Sequence, residues 1–167
     1  MMLCLREFDD IYIEMKPFSQ KQMNRIKAVL MFKGLTINSI TFLNAADVDE
    51  DEHFTISQFA LTTWLNLMPN LERIAFYGNW GLDVREKLDG RNVQLNLPKL
   101  KNVKWPPIGL EQKLHQSKAS SLEYIMFCNP TTLPNLNDIF RVHRDTLTEL
   151  KFQDYFLYAD VTPFHQL

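Results

Sequence analysis

The sequence predicts an α/β fold: a right-handed solenoid with a curved parallel β-sheet on its concave side and helices on its convex side. Three observations lead there. A short apolar motif recurs six times, helix-like patterns fill the longer gaps between copies, and turn-forming residues stand just before several of them.

The motif has apolar residues at its first, fourth and sixth positions. It reads FDDIYIE from Phe8, INSITFL from Ile37, LERIAFY from Leu71, LKNVKWP from Leu100, LEYIMFC from Leu122 and LTELKFQ from Leu147. By subtraction the starts lie 22 to 34 residues apart, and a recurring period of that size marks stacked supersecondary units. Alternation at the fourth to sixth positions suits a strand with one buried face. A single unit has too small an apolar face to be stable, so neighbours must bury one another.

The connectors follow in order. Ser19 and Gln22 have capping-box spacing, Met23, Ile26, Val29 and Leu30 form an apolar stripe, and Gly34 offers a left-handed stop, which predicts a helix over 19–33. Thr55 and Gln58 repeat the capping pair ahead of Ile56, Phe59, Ala60, Trp64 and Leu67, predicting a helix over 56–68 that ends against Pro69. Thr131 or Thr132 caps a third helix over 133–144, with Pro134 in its first turn and Leu136, Ile139, Phe140 and His143 on one side. Segments 83–90 and 110–118 suit single turns, with Val84/Leu88 and Leu110/Leu114 as buried pairs. The entries MPNLERI and LPKLKNV place a turn before the first apolar position.

Composition narrows the function classes. Eighteen basic and twenty acidic residues give a net charge of −2, which argues against a nucleic-acid binder held by bulk positive charge. The two cysteines, Cys4 and Cys128, are too few for the cysteine-rich caps of extracellular repeats, and the only Asn-x-Thr acceptor, Asn129-Pro130-Thr131, is blocked by its proline. No apolar run reaches the roughly 18 residues of a membrane helix. The reading is a cytoplasmic or nuclear chain with no membrane partner, and one domain over 1–167 of about six irregular repeats, part of a longer array.

Chemical motifs are sparse. Asp47, Asp49 and Asp51 have the alternate spacing of a calcium loop, but Glu52 stands where the turn needs glycine and Gln58 where it needs glutamate. The acidic run 47–53 is expected to be a solvated loop before a helix N-terminus. His53, His115, His143 and His165 are scattered without zinc spacing, and no nucleophile elbow, phosphate loop or zinc-protease string occurs. The chain is expected to be no enzyme and to need no cofactor or metal.

Residues at the third, fifth and seventh motif positions are expected to face away from the core. Among them Tyr12, Thr41, Arg73, Tyr77, Lys104, Tyr124, Met126 and Lys151 form the candidate protein-binding set, because tyrosine and arginine supply much of the energy of protein interfaces. Tyrosines on a sheet also serve cross-strand packing. Trp105, at the third apolar position, is expected in the core, and Trp80, outside the motif, on a rim.

Six such units with helical connectors and no secretory cysteines resemble the intracellular leucine-rich repeat family, especially the repeat region of F-box/leucine-rich repeat proteins, over residues 8–157. The resemblance implies a substrate receptor whose repeats hold a target while an F-box docks on the adaptor of a cullin ubiquitin ligase. Seven residues precede Phe8, so an adaptor partner requires an F-box outside this chain. A free-standing repeat adaptor and a small hydrolase are the other readings.

Overall fold

A computed structural model describes residues 5–6, 10–15, 20–44, 54–78, 80–83, 94–107, 110, 113–114, 121–127 and 133–152. Six parallel strands organise it: β2 (Asp10–Met15), β3 (Ser39–Asn44), β5 (Arg73–Tyr77), β7 (Asn102–Lys104), β8 (Tyr124–Phe127) and β9 (Glu149–Phe152) are hydrogen-bonded in chain order. A two-residue strand, β1 (Leu5–Arg6), runs antiparallel along the outer side of β2. Each parallel strand begins at the third motif position, and the register holds without a slip. Ile11 lies opposite Ile40, Ile40 opposite Ile74, then Val103, Ile125 and Leu150 in turn.

One face of this sheet is the core. Ile11, Ile40, Ile74, Val103 and Ile125 are buried, as are Ile13, Phe42, Phe76 and Phe127 one row further along the strands. Full burial of one such side chain stabilises by roughly 1.5–3 kcal/mol. Within the second row, Phe42 stacks on Phe76 with centroids 5.1 Å apart, and Phe127 on Phe152 at 5.8 Å. The first motif position supplies a further buried row, Ile37, Leu71, Leu100 and Leu122.

The turns entering the strands repeat as faithfully as the strands. The carbonyl at the second motif position accepts two backbone N–H groups of the next unit: Asn38 from Glu72 and Arg73, Glu72 from Lys101 and Asn102, Lys101 from Glu123 and Tyr124, and Glu123 from Thr148 and Glu149. Upstream, the N–H of Ile37, Leu71 and Leu100 closes a turn onto Gly34, Met68 and Leu97. The polar residue before the first apolar position ties these turns together across units. Asn70 Nδ2 donates to Leu35 O (2.7 Å), Ser121 Oγ to Pro98 O (3.3 Å) and Thr146 Oγ1 to Leu122 O (2.8 Å).

Among the elements whose bounds are described, α1 (Gln20–Lys33), α2 (Gln58–Asn66) and α3 (Leu133–His143) are the helices that pack on the core. They contribute Ile26 and Leu30, Leu61, Trp64 and Leu65, and Leu136 and Ile139 to a single cluster with the strand residues. The expected inner side of α3 is confirmed, with Phe140 half-buried and His143 buried, its Nε2 3.3 Å from Leu114 O. Leu110 and Leu114 are buried as expected.

Four local expectations are corrected. The second helix starts at Gln58 because Ser57 caps it, its side chain accepting from Ala60 N at 3.3 Å, and Ile56 belongs to a strand instead. That strand, β4 (Phe54–Ser57), pairs in parallel with β6 (Trp80–Asp83) in a second, two-stranded sheet, so Asp83, expected to start a turn, ends a strand. Gly34 has no left-handed backbone; it begins a 3₁₀ turn, Gly34–Thr36. Trp105 is half-buried with φ 52°, leaving strand geometry before the buried Pro106 and Pro107. Ser19, Ala45 to His53, Asn79, Val84, Leu88, Thr131, Thr132 and the tail from Gln153 lie outside the described residues.

Candidate functional site

The second face of the sheet follows from the first. Because side chains alternate along a strand, the register that aligns the core must also align the odd motif positions on the opposite side. One row runs Ser39, Arg73, Asn102, Tyr124, Glu149; the next runs Tyr12, Thr41, Ala75, Lys104, Met126, Lys151; a third, over the first strands, runs Glu14, Leu43, Tyr77. At about 4.8 Å per strand, six strands spread these rows over roughly 24 Å.

All eight sequence-predicted site residues therefore lie on one face. Arg73, Lys104 and Lys151 are exposed, Tyr12 and Tyr77 are 41% and 39% exposed, and Thr41, Tyr124 and Met126 are half-buried. They divide into groups. Tyr124, Met126 and Lys151 meet toward β9, where Tyr124 Oη donates to Met126 Sδ at 3.3 Å and Lys151 Nζ sits 5.5 Å from the Tyr124 ring centroid. Glu149 completes this group by pairing with Lys151 at 2.7 Å. Its carboxylate, first through the hydrogen bond and then through its charge, holds the Lys151 ammonium above the usual 10.5, and Tyr124 adds to the effect.

Tyr77 forms a second group with Trp105, edge to face at 4.2 Å between centroids. Its place at the third apolar motif position predicts Trp105 in the core. Its ring instead meets a tyrosine of the opposite face, because the positive φ takes the chain out of the strand after Lys104. The Pro106-Pro107 pair signalled that the strand ends there, but nothing in the residue types signalled a left-handed tryptophan. Thr41 lies between Tyr12 and Ala75, and Lys104 between Ala75 and Met126, so they occupy the middle of the face and join the two groups.

Physically, the face offers flat aromatic area, cations on three strands and a carboxylate already paired with one of them. Half-fixed aromatic rings lose little conformational freedom on contact, which favours recognition of a macromolecular surface. Among the described residues no three His, Cys, Asp or Glu side chains converge to hold a metal ion, and no described helix is long and apolar enough to cross a membrane. Compared with protein-family models, with curated proteins and with solved structures, the chain matches none.

Proposed function

We propose that the chain is a leucine-rich repeat solenoid that acts as a non-catalytic protein-binding scaffold, holding a partner segment across the face built from Tyr12, Thr41, Arg73, Tyr77, Lys104, Tyr124, Met126 and Lys151. The observation that carries the reading is the unbroken register of that face: six successive units each place their odd-position residues in common rows. The repeated two-donor carbonyl contacts at Asn38, Glu72, Lys101 and Glu123 support the repeat architecture, since each of the third to sixth units docks on the previous one in the same manner.

Within this reading Tyr77 with Trp105, and Tyr124 backed by the Met126 thioether, are the anchors, and Lys104 between them sets charge preference. Substrate recognition for a cullin-type ubiquitin ligase is the favoured setting where an F-box is supplied outside this chain; otherwise the scaffold acts as a free-standing adaptor. The reading is tested by selecting peptide ligands against the purified chain and measuring their affinity. Tyr77→Ala and Tyr124→Ala are expected to weaken binding by tenfold or more, as loss of an interface anchor does. Ligands whose affinity neither substitution alters would remove this face from the account.

A further inference from the structure

The outward side of α1 has no role in the scaffold described above. Its inner side is fixed by Ile26 and Leu30, and the outward side carries Lys21, Asn24, Arg25, Lys27, Ala28, Met31 and Phe32, all exposed. Phe32 is 88% exposed, Met31 64%, and Leu35 in the following turn 69%. Lys21, Arg25, Ala28 and Phe32 follow one another at spacings of four, three and four, so they lie along one line of the helix.

The charge of this element is one-sided. Between Gln20 and Lys33 it holds Lys21, Arg25, Lys27 and Lys33 and no acidic residue. None of the four forms an ion pair among the described residues. In a chain of net charge −2, that is a local concentration of cations bracketing three protruding apolar side chains.

We infer that this ridge docks on an anionic lipid surface. Unpaired lysines and arginine attract acidic headgroups, and Phe32, Met31 and Leu35 enter the headgroup boundary beside them. A bilayer fits the pattern better than a folded acidic partner does, because a nearly fully exposed phenylalanine needs no matching pocket in a fluid surface. The contact differs in kind from a membrane span, which the described helices exclude by length and polarity. The scaffold face lies on the other side of the sheet from the core that α1 covers, so one surface can hold a lipid layer while the other holds a protein.

The test is co-sedimentation of the whole chain with phosphatidylcholine vesicles, with and without phosphatidylserine. Binding is expected only with phosphatidylserine and is expected to fall with added salt. Lys21→Ala and Arg25→Ala should each lower the partition coefficient about fivefold, and Phe32→Ala about tenfold. All three positions are exposed, and circular dichroism of each variant checks the fold. Absence of phosphatidylserine-dependent binding would overturn the inference. So would phosphatidylserine-dependent binding that Lys21→Ala, Arg25→Ala and Phe32→Ala all leave intact, which would place the lipid contact elsewhere on the chain.

Discussion

Gly34 lies against the carbonyl group of Leu67: a Cβ placed on residue 34 would overlap the Leu67 oxygen and come within 2.9 Å of its carbon. The close approach joins two consecutive units at their backs, where the turn after α1 meets the C-terminal cap of α2. Gly34→Ala must push these backbones apart, and backbone atoms give less readily than side chains. We expect a loss of about 1–3 kcal/mol, measured by urea unfolding, with an unchanged m-value.

The aromatic row in the core predicts a larger effect. Phe76 is buried and stacked on Phe42, so Phe76→Ala leaves a cavity and also removes the ring contact. The expected loss is about 3–5 kcal/mol, and Phe76→Leu should recover part of it. Thermal unfolding followed by circular dichroism distinguishes the two variants.

Asn66 joins α2 to the next unit with both ends of its amide. Its Nδ2 donates to Gln94 O at 2.9 Å, and its Oδ1 accepts from Asn96 N at 2.8 Å. The site is exposed, so water replaces part of what is lost, and Asn66→Ala should cost about 1 kcal/mol. Asn66→Asp keeps the acceptor and loses the donor, which places it between alanine and wild type. Local hydrogen exchange at Asn96 reports the change directly.

A pH prediction attaches to Lys151. Its pKa is raised above 10.5 by Glu149, so the contribution of this pair is fully present below the unfolded value near 10.5 and is lost as pH rises through the higher folded value. Titration of the Lys151 ammonium by nuclear magnetic resonance should show a midpoint above 10.5. Glu149→Gln is expected to bring it down toward that value.

Much of this architecture was legible because the motif states two things at once. Apolar residues at the fourth and sixth positions named the core rows through Ile40, Phe42, Ile74 and Phe76, and the alternation then named the outward rows without further information. Helices α1 and α3 were equally legible, since their apolar stripes and termini agree. The region from Phe54 to Ser57 misled, because Thr55 and Gln58 have capping spacing while Phe, Thr and Ile are also strand formers. Its partner β6 lies more than twenty residues downstream and contains a glycine, so their pairing is a tertiary outcome with no local signal. At Gly34 the sequence suggests a left-handed stop, whereas it is close packing on Leu67 that requires glycine there. Among the described residues the left-handed glycine is Gly78 (φ 91°), where a Cβ would also crowd Asn44.

The central claim is that the outward rows of the parallel sheet form the binding surface. The most direct measurement is a nuclear magnetic resonance footprint of the labelled chain with a selected peptide ligand. Chemical-shift changes should concentrate on Tyr12, Thr41, Arg73, Tyr77, Lys104, Tyr124, Met126 and Lys151, with Trp105 among the indole signals that move. Changes confined to α1, α2 and α3, with those eight residues unmoved, would contradict the account.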